Sequence, residues 1–263
     1  MVKRILSTVA LGAGLAFAAA KGEPNEGEVA SIISRFAARE SEFLKAREAY
    51  TYRQTARIQE MDESNRVIGK HEVVSDIIFS GEGKRTERVV RAPSPTLKNI
   101  GLTPEDEQDL RSVQPFVLTT KDIDKYWVRY IGKETLDEIP CFAFAVKPKK
   151  IEPGLRYFAG IVWVDDRDLQ IVKSYGRGVG VKKKGFDNQF PKFETFREQI
   201  DKKYWFPTYT VSNDTLIFDS GQSQKIKMTV KYENYKQFKS ETTITFGEAA
   251  DEPKPQQPKP PSK

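Results

Sequence analysis

Few side chains in this 263-residue sequence could carry out chemistry. The chain has one histidine and one cysteine, which excludes zinc-ribbon, iron–sulfur and disulfide frameworks built within it. His71 lies in a predicted strand, and no Gly-x-Ser-x-Gly motif supplies a nucleophile for it to activate. Asp165 and Asp166 are adjacent, so on a strand their carboxylates point to opposite faces. We therefore predict no catalytic residue, no metal site, no cofactor and no enzymatic activity, with a hydrolase as the remote alternative.

A glycine-rich stretch leads into a run of lysines. Gly176, Gly178 and Gly180 precede Lys182–Lys184, but no helical pattern follows, so the strand–turn–helix arrangement of a phosphate-binding loop is missing. Residues 178–191 are instead predicted to form a basic loop. A solvated loop is the ordinary interpretation of these lysines, and contact with lipid headgroups is the alternative.

Large apolar side chains on predicted strands are the remaining candidates for a functional site. Core packing is the default for each of them. In a strongly curled sheet with little helix to cover it, they could instead line a pocket for an acyl chain. Strand alternation groups them on shared faces. The lipid-binding candidates are Phe142, Phe144, Val146, Tyr157, Ile161, Trp163, Ile226, Met228 and Val230.

The beginning of the chain has the pattern of a secretory signal peptide. Lys3 and Arg4 precede an apolar stretch over residues 5–20, and Ala18 and Ala20 fit a small-residue cleavage site. Residues 1–20 are therefore predicted to be a signal peptide that directs export from the cytoplasm, with an uncleaved anchor as the alternative. The formal net charge of +6 then favours anionic lipid or glycan surfaces over nucleic acid, or is simply an ordinary basic surface.

The elements that must position the candidates are one amphipathic helix and many strands. Apolar residues recur at helical spacing over 28–46, and a Thr-Pro-Glu-Asp start predicts a short second helix over 103–113. The predicted strands are 50–61, 66–79, 84–91, 125–137, 140–148, 157–166, 169–177, 192–200, 204–219 and 224–246. This pattern predicts a mainly β (α+β) domain over residues 21–247, with a strongly curved antiparallel sheet of about ten strands lidded by the two helices. Residues 248–263 are rich in proline and are predicted to be a disordered tail.

One hairpin resembles a known family. The strand Ile161-Val162-Trp163-Val164-Asp165, followed by 169–173, is similar to a strand pair of the LolA/LolB-like periplasmic outer-membrane lipoprotein-sorting proteins, and 205–209 resembles a later strand. The resemblance implies a half-open β-barrel of eleven strands, lidded by helices, whose hydrophobic cavity receives acyl chains without catalytic residues. It also implies an arginine near the cavity mouth, for which Arg53 and Arg57 are candidates by strand position.

The leading functional prediction is a periplasmic carrier of lipid or lipoprotein acyl chains, for lipoprotein or lipid sorting to the outer membrane. Its predicted partners are the acyl chains and an envelope membrane protein, and transfer would require the lid helices to move. The alternative is a non-enzymatic binding or scaffold protein of the cell envelope that uses a sheet edge and the basic loop.

Overall fold

The computed structural model describes residues 22–80, 83–181 and 191–238. Within these residues, ten antiparallel strands form one curved, unclosed sheet with an N-terminal helix and few other helices. The elements are α1 (Glu26–Arg47), β1 (Tyr50–Met61), β2 (Val67–Phe79), β3 (Arg85–Arg91), α2 (Pro104–Gln108), β4 (Tyr126–Leu136), β5 (Ile139–Pro148), β6 (Tyr157–Asp165), β7 (Ile171–Val179), β8 (Lys192–Ile200), β9 (Tyr204–Ile217) and β10 (Ser223–Gln237). The predicted fold class is confirmed.

The order of strands explains how the sheet is covered. It runs β3-β2-β1-β10-β9-β8-β7-β6-β5-β4, so β1 pairs with β10, and the consecutive strands β3 and β4 lie at opposite edges. The connection between them, residues 92–125, must therefore cross the whole sheet. We call it the crossing segment. It contains α2, a π-helical turn at Asp109–Val113 and a 3₁₀ turn at Ile123–Lys125.

Helix α1 begins and ends with favourable capping interactions. The Asn25 side chain accepts a hydrogen bond from the Glu28 N–H, and the Glu28 carboxylate accepts one from the Asn25 N–H, which is a capping box. Acidic residues occupy its first turn and Lys45 and Arg47 its last, as the helix dipole favours. The apolar stripe predicted from the sequence is buried, with Phe36 fully enclosed.

The main hydrophobic core lies between the concave face of the sheet and its two covers, α1 and the crossing segment. Phe36 of α1 packs on Phe144 of β5 with ring centroids 5.4 Å apart. Phe116 of the crossing segment stacks on Phe158 of β6 at 4.4 Å. The opposite, convex face has a smaller cluster of its own around Cys141, which is a free, buried thiol.

Some predictions fall outside the described residues: the signal peptide at 1–20, most of the basic loop at 178–191, the C-terminal part of the last predicted strand and the tail at 248–263. Within the described part of the chain, no helix is both long enough and apolar enough to span a bilayer.

Candidate functional site

A cavity of about 350 Å³ lies between the concave face and the crossing segment. Four strands that are neighbours in the sheet supply its floor, because alternate residues of each strand point to the same face. The floor residues are Ile58 of β1, Phe193 of β8, Leu216 of β9, and Ile226 and Met228 of β10. The crossing segment supplies the apolar roof, which consists of Ile100, Leu102 and Leu110. The cavity is therefore apolar above and below.

A buried carboxylate fastens the roof to the sheet. Glu60, the concave-facing residue near the end of β1, is fully buried. Its two oxygens accept hydrogen bonds from the backbone N–H groups of Lys98 at 2.8 Å, Asn99 at 2.6 Å and Ile100 at 2.8 Å. Gly69 of β2 leaves the room that this arrangement needs, since a Cβ there would lie 2.5 Å from a Glu60 oxygen. The start of the crossing segment is thus held by three charge-assisted hydrogen bonds.

Polar side chains form one wall of the cavity. Thr103 and Asp106 bond reciprocally at the start of α2, with the Thr103 N–H 2.8 Å from an Asp106 oxygen. Asp109 forms a bidentate ion pair with Arg156, whose Nε lies 2.8 Å from Oδ1. The Arg156 side chain is only 5% exposed. This pair connects the π-helical turn to the segment before β6.

The glycine-rich stretch of β7 has a packing role. A Cβ on Gly178 would lie 2.5 Å from an Asp109 oxygen and 2.9 Å from an Arg156 nitrogen. The absence of a side chain at Gly176 likewise leaves space for the Phe158 ring, because an added Cβ would lie 2.8 Å from a ring atom. The glycines therefore make room for the ion pair and the core beneath the crossing segment.

One buried polar atom beside the cavity has no partner. Gln114 lines the cavity and is 4% exposed. Its Nε2 donates to the Met228 Sδ at 3.3 Å, whereas its Oε1 accepts no hydrogen bond within the described structure. An unpaired buried acceptor is unfavourable by about 1–3 kcal/mol. A ligand carrying a hydrogen-bond donor would relieve that cost.

A second buried polar group connects α1 to the sheet. Glu40 of α1 and Arg197 of β8 form an ion pair, with both Glu40 oxygens 3.2 Å from Nη1. Glu40 also accepts the Ile171 N–H at 2.9 Å, and Arg197 donates to the Phe116 carbonyl of the crossing segment. Burial raises the pKa of Glu40 and lowers that of Arg197, although each charge stabilises the other. The helix, two strands and the crossing segment therefore meet at this pair.

The structure places the nine predicted lipid-binding residues in three environments. Ile226 and Met228 line the cavity. Five others lie in the core beneath α1 and the crossing segment: Phe142, Phe144, Val146 and Tyr157 in the main cluster or against it, and Val230 in the adjoining cluster. Ile161 and Trp163 belong to the convex cluster, so they lie on the other side of the sheet from the cavity.

The other described residues that the sequence singled out as functional candidates do not line the cavity. Arg53 forms a salt bridge with Asp76, and Arg57 forms one with Glu72. Both arginine side chains lie on the face opposite to Ile58, and neither lines the cavity. The prediction that one of them lies at the cavity mouth is therefore wrong. Asp165 accepts the Arg167 N–H at 2.7 Å in the hairpin turn. The Nδ1 atom of His71 is buried and has no hydrogen-bond partner within the described structure. Among the described residues, no group of three potential ligands could hold a metal ion.

Most of the cavity residues could not be identified from the sequence. Phe193 and Leu216 alternate correctly on their strands, but only the pairing of β8, β9, β10 and β1 brings them to one floor. The roof has no regular periodicity that could have identified it.

Comparison with known proteins gives only distant likenesses. No family model matches the chain, and no curated protein matches it. A DUF1329 family protein from Desulfovibrio piger is 14% identical over 80% of this chain and 92% of its own, with a TM-score of 0.39. A LolA superfamily protein from Nitrosomonas europaea is 12% identical over 77% and 94%, with a TM-score of 0.33. A domain named for outer membrane lipoprotein sorting from Vibrio parahaemolyticus is 11% identical over 80% and 94%, with a TM-score of 0.36.

Solved structures similar to the chain thus include members of the group that its sequence resembles. At these TM-scores the likeness carries no argument about what this chain does.

Proposed function

We propose that this protein is a periplasmic carrier that binds an acyl chain of a lipid or lipoprotein in the cavity beneath the crossing segment. The observation that carries the proposal is the apolar floor shared by β1, β8, β9 and β10 under an apolar roof. A volume of about 350 Å³ falls within the range of small-ligand sites. Burying about 12 methylenes would contribute on the order of 10 kcal/mol before the costs of ordering, which suits carriage followed by release.

The candidate site residues divide by their position in this proposal. Ile226 and Met228 would contact the acyl chain directly, because they line the cavity. The concave-face candidates on β5 and β6 are packed against α1 and the crossing segment. They would line an enlarged cavity only when those covers move. Ile161 and Trp163 have no part in it.

The polar wall supports a particular kind of acyl ligand. Gln114, Thr103 and Asn99 line the same cavity, and the Gln114 Oε1 is a buried acceptor without a partner in the described structure. An acyl chain joined through an amide has an N–H at its head, which could donate to the Gln114 Oε1. We therefore expect N-acylated compounds to bind more tightly than the free fatty acid of equal length.

Export supports the cellular location. The basic residues and apolar stretch of the first twenty residues have the pattern of a secretory signal. A carrier in the periplasm would transfer acyl chains between the two membranes, and an envelope membrane protein would supply or receive them.

The test is a cavity-filling substitution with a matched neighbour. Leu216→Trp would fill the cavity from its floor, and Ile217→Trp adds the same ring on the opposite face, where Ile217 is 68% exposed. We expect Leu216→Trp to weaken binding of a fluorescent fatty acid at least tenfold and Ile217→Trp to leave it unchanged. Circular dichroism and thermal melting would show that both variants fold.

Two results would count against the carrier. Wild-type protein that takes up no acyl probe and copurifies with no lipid would favour the envelope-binding alternative, for which the edge strand β3, with Val89 56% exposed, is one available surface. Equal loss of binding in both tryptophan variants would place the acyl site elsewhere.

A further inference from the structure

The convex face of the sheet carries an aromatic and basic patch across β4 to β7. The strand register aligns Arg129, Ala145, Ile161 and Tyr175 in one row across these four strands, and Trp127 lies opposite Lys147 in the next. Because the row crosses four neighbouring strands, which are about 4.8 Å apart, its two ends lie about 14 Å from each other. We call this the convex patch, which comprises Trp127, Arg129, Lys147, Lys149, Ile161, Tyr175 and Arg177.

Two large aromatic side chains of the convex patch are unusually exposed. Trp127 is 59% exposed and Tyr175 is 40% exposed. The ammonium of Lys149 lies over the Trp127 ring, 5.1 Å from its centroid. The other two tryptophans, Trp163 and Trp205, are 8% and 9% exposed on the same face. Trp127 is therefore the one tryptophan that the fold leaves on the surface, and all three lie within the described residues.

The charges of the convex patch are unbalanced, in contrast to those of the arginines on β1. Within the described residues, no salt bridge involves the patch cations, which are Arg129, Lys147, Lys149 and Arg177. On β1 and β2, by comparison, Arg53 pairs with Asp76 and Arg57 with Glu72. Glu194, which lies opposite Tyr175 on β8, is neutralised by Lys173 at 2.6 Å.

We propose that the convex patch docks the protein onto an anionic lipid bilayer. Tryptophan and tyrosine favour the boundary between headgroups and acyl chains, because their rings are apolar and their N–H or O–H groups stay hydrated. Each unpaired lysine or arginine near an anionic membrane surface strengthens binding by roughly fivefold. The four patch cations surround the two rings on one sheet face, which can meet a planar surface as a unit.

This docking is independent of the proposed carriage of acyl chains. The convex patch faces away from α1 and the crossing segment, so a docked molecule would present its cavity away from the bilayer that holds it. The cavity would then be accessible to a protein partner or to the opposite membrane.

The experiment is sedimentation of the purified full chain with vesicles of phosphatidylcholine containing about one-quarter phosphatidylglycerol, and with phosphatidylcholine alone. The test variant is Lys147→Glu with Arg177→Glu. The matched control is Lys227→Glu with Lys231→Glu, two exposed β10 residues on the same face with the same change in charge.

We expect the test variant to bind anionic vesicles at least tenfold more weakly than wild type, and the control to stay within about twofold of wild type. Binding of the wild-type protein should fall with added salt. All samples share the first twenty residues, so any binding by that segment is common to them.

Tryptophan fluorescence provides a second readout at the patch itself. We expect the emission to shift to the blue on anionic vesicles and to be quenched by brominated lipids, and both effects to disappear in Trp127→Phe. Absence of binding to anionic vesicles, or equal losses in the test and control variants, would overturn the proposal. So would an unchanged emission spectrum with binding instead to an acidic polypeptide such as polyglutamate, which would identify the patch as a protein-binding surface.

Discussion

At the scale of single residues, the Glu40–Arg197 pair places two opposite charges in the interior of the protein. Both side chains are almost completely inaccessible, with exposures of 0% and 2%. Removing two charges from water is unfavourable in free energy. Their mutual attraction offsets this desolvation penalty only when further hydrogen bonds satisfy both groups. Here the Ile171 N–H and the Phe116 carbonyl provide those bonds. The pair therefore gives α1 a defined position on the sheet more than it adds to stability.

A double-mutant cycle tests this view of the pair. Glu40→Leu alone or Arg197→Met alone would leave one buried charge without a partner, and we expect each to lower the free energy of unfolding by about 3–5 kcal/mol. The double variant should lose much less than the sum, because no uncompensated charge remains. Urea unfolding of the four proteins measures all the terms. A double variant as unstable as the sum of the singles would show that the pair does not act as a unit.

Strand alternation in the sequence indicates which apolar residues share a face, but not which of them line the cavity. Alternation correctly indicated that Phe142, Phe144 and Val146 share a face, but alternation does not say which face is covered. Alternation also places Tyr157 on the same face as Ile161 and Trp163. In the structure, Tyr157 lies at the start of its strand and packs in the concave core, whereas the other two lie in the convex cluster. The unpaired Gln114 acceptor had no sequence signal, since its burial depends on the crossing segment.

At the scale of elements, the crossing segment depends on a small number of hydrogen bonds for its position over the cavity. Its first part, near residues 96–100, has little regular secondary structure and is held by the Glu60 carboxylate and by the pairing of Thr96 with Lys70. A roof held in this way can open locally at a lower free energy than the sheet beneath it. That difference would allow ligand entry without global unfolding.

Replacing the Glu60 carboxylate should therefore loosen the roof selectively. Glu60→Gln has one acceptor oxygen for three backbone donors, and we expect amide hydrogen exchange at residues 98–100 to accelerate at least tenfold while exchange in β5 and β6 stays unchanged. Glu63→Gln, in the exposed turn that follows β1, is the control and should alter neither region. Faster exchange across the whole sheet would mean instead that Glu60 stabilises the fold globally.

The elements themselves were predictable because their patterns are local. Helix α1 and the strands β1 to β9 lie within a few residues of their predicted bounds, and β10 begins within one residue of its predicted start but ends at Gln237, before the predicted end at 246. The sheet order was not predictable, because pairing β1 with β10 depends on contacts between residues more than 150 positions apart, such as Ala56 with Val230. That order requires residues 92–125 to run from one edge of the sheet to the other, and the cavity lies beneath part of that crossing.

At the scale of the whole molecule, two separate covers close one face of the sheet, and they contact each other directly. The Thr120 N–H donates to the Ser41 hydroxyl at 3.0 Å, and the two hydroxyl oxygens are 3.2 Å apart. The Arg197 guanidinium bridges the same two covers from below through Glu40 and Phe116. If the concave face opens to admit a long acyl chain, this junction between α1 and the crossing segment must separate.

Locking the junction tests whether that separation controls exchange of ligand. The Ser41→Cys, Thr120→Cys variant places two cysteines where the hydroxyls now meet, close enough for oxidation to a disulfide, and the native Cys141 is buried and should not compete. We expect the oxidised form to release a bound fluorescent fatty acid at least tenfold more slowly than wild type, and reduction to restore the wild-type rate, so the reduced protein is its own control. An oxidised form that exchanges at the wild-type rate would mean that the ligand enters beneath another part of the crossing segment, with α1 stationary. The two outcomes assign the moving part to different covers, because only the first route requires α1 to leave the crossing segment.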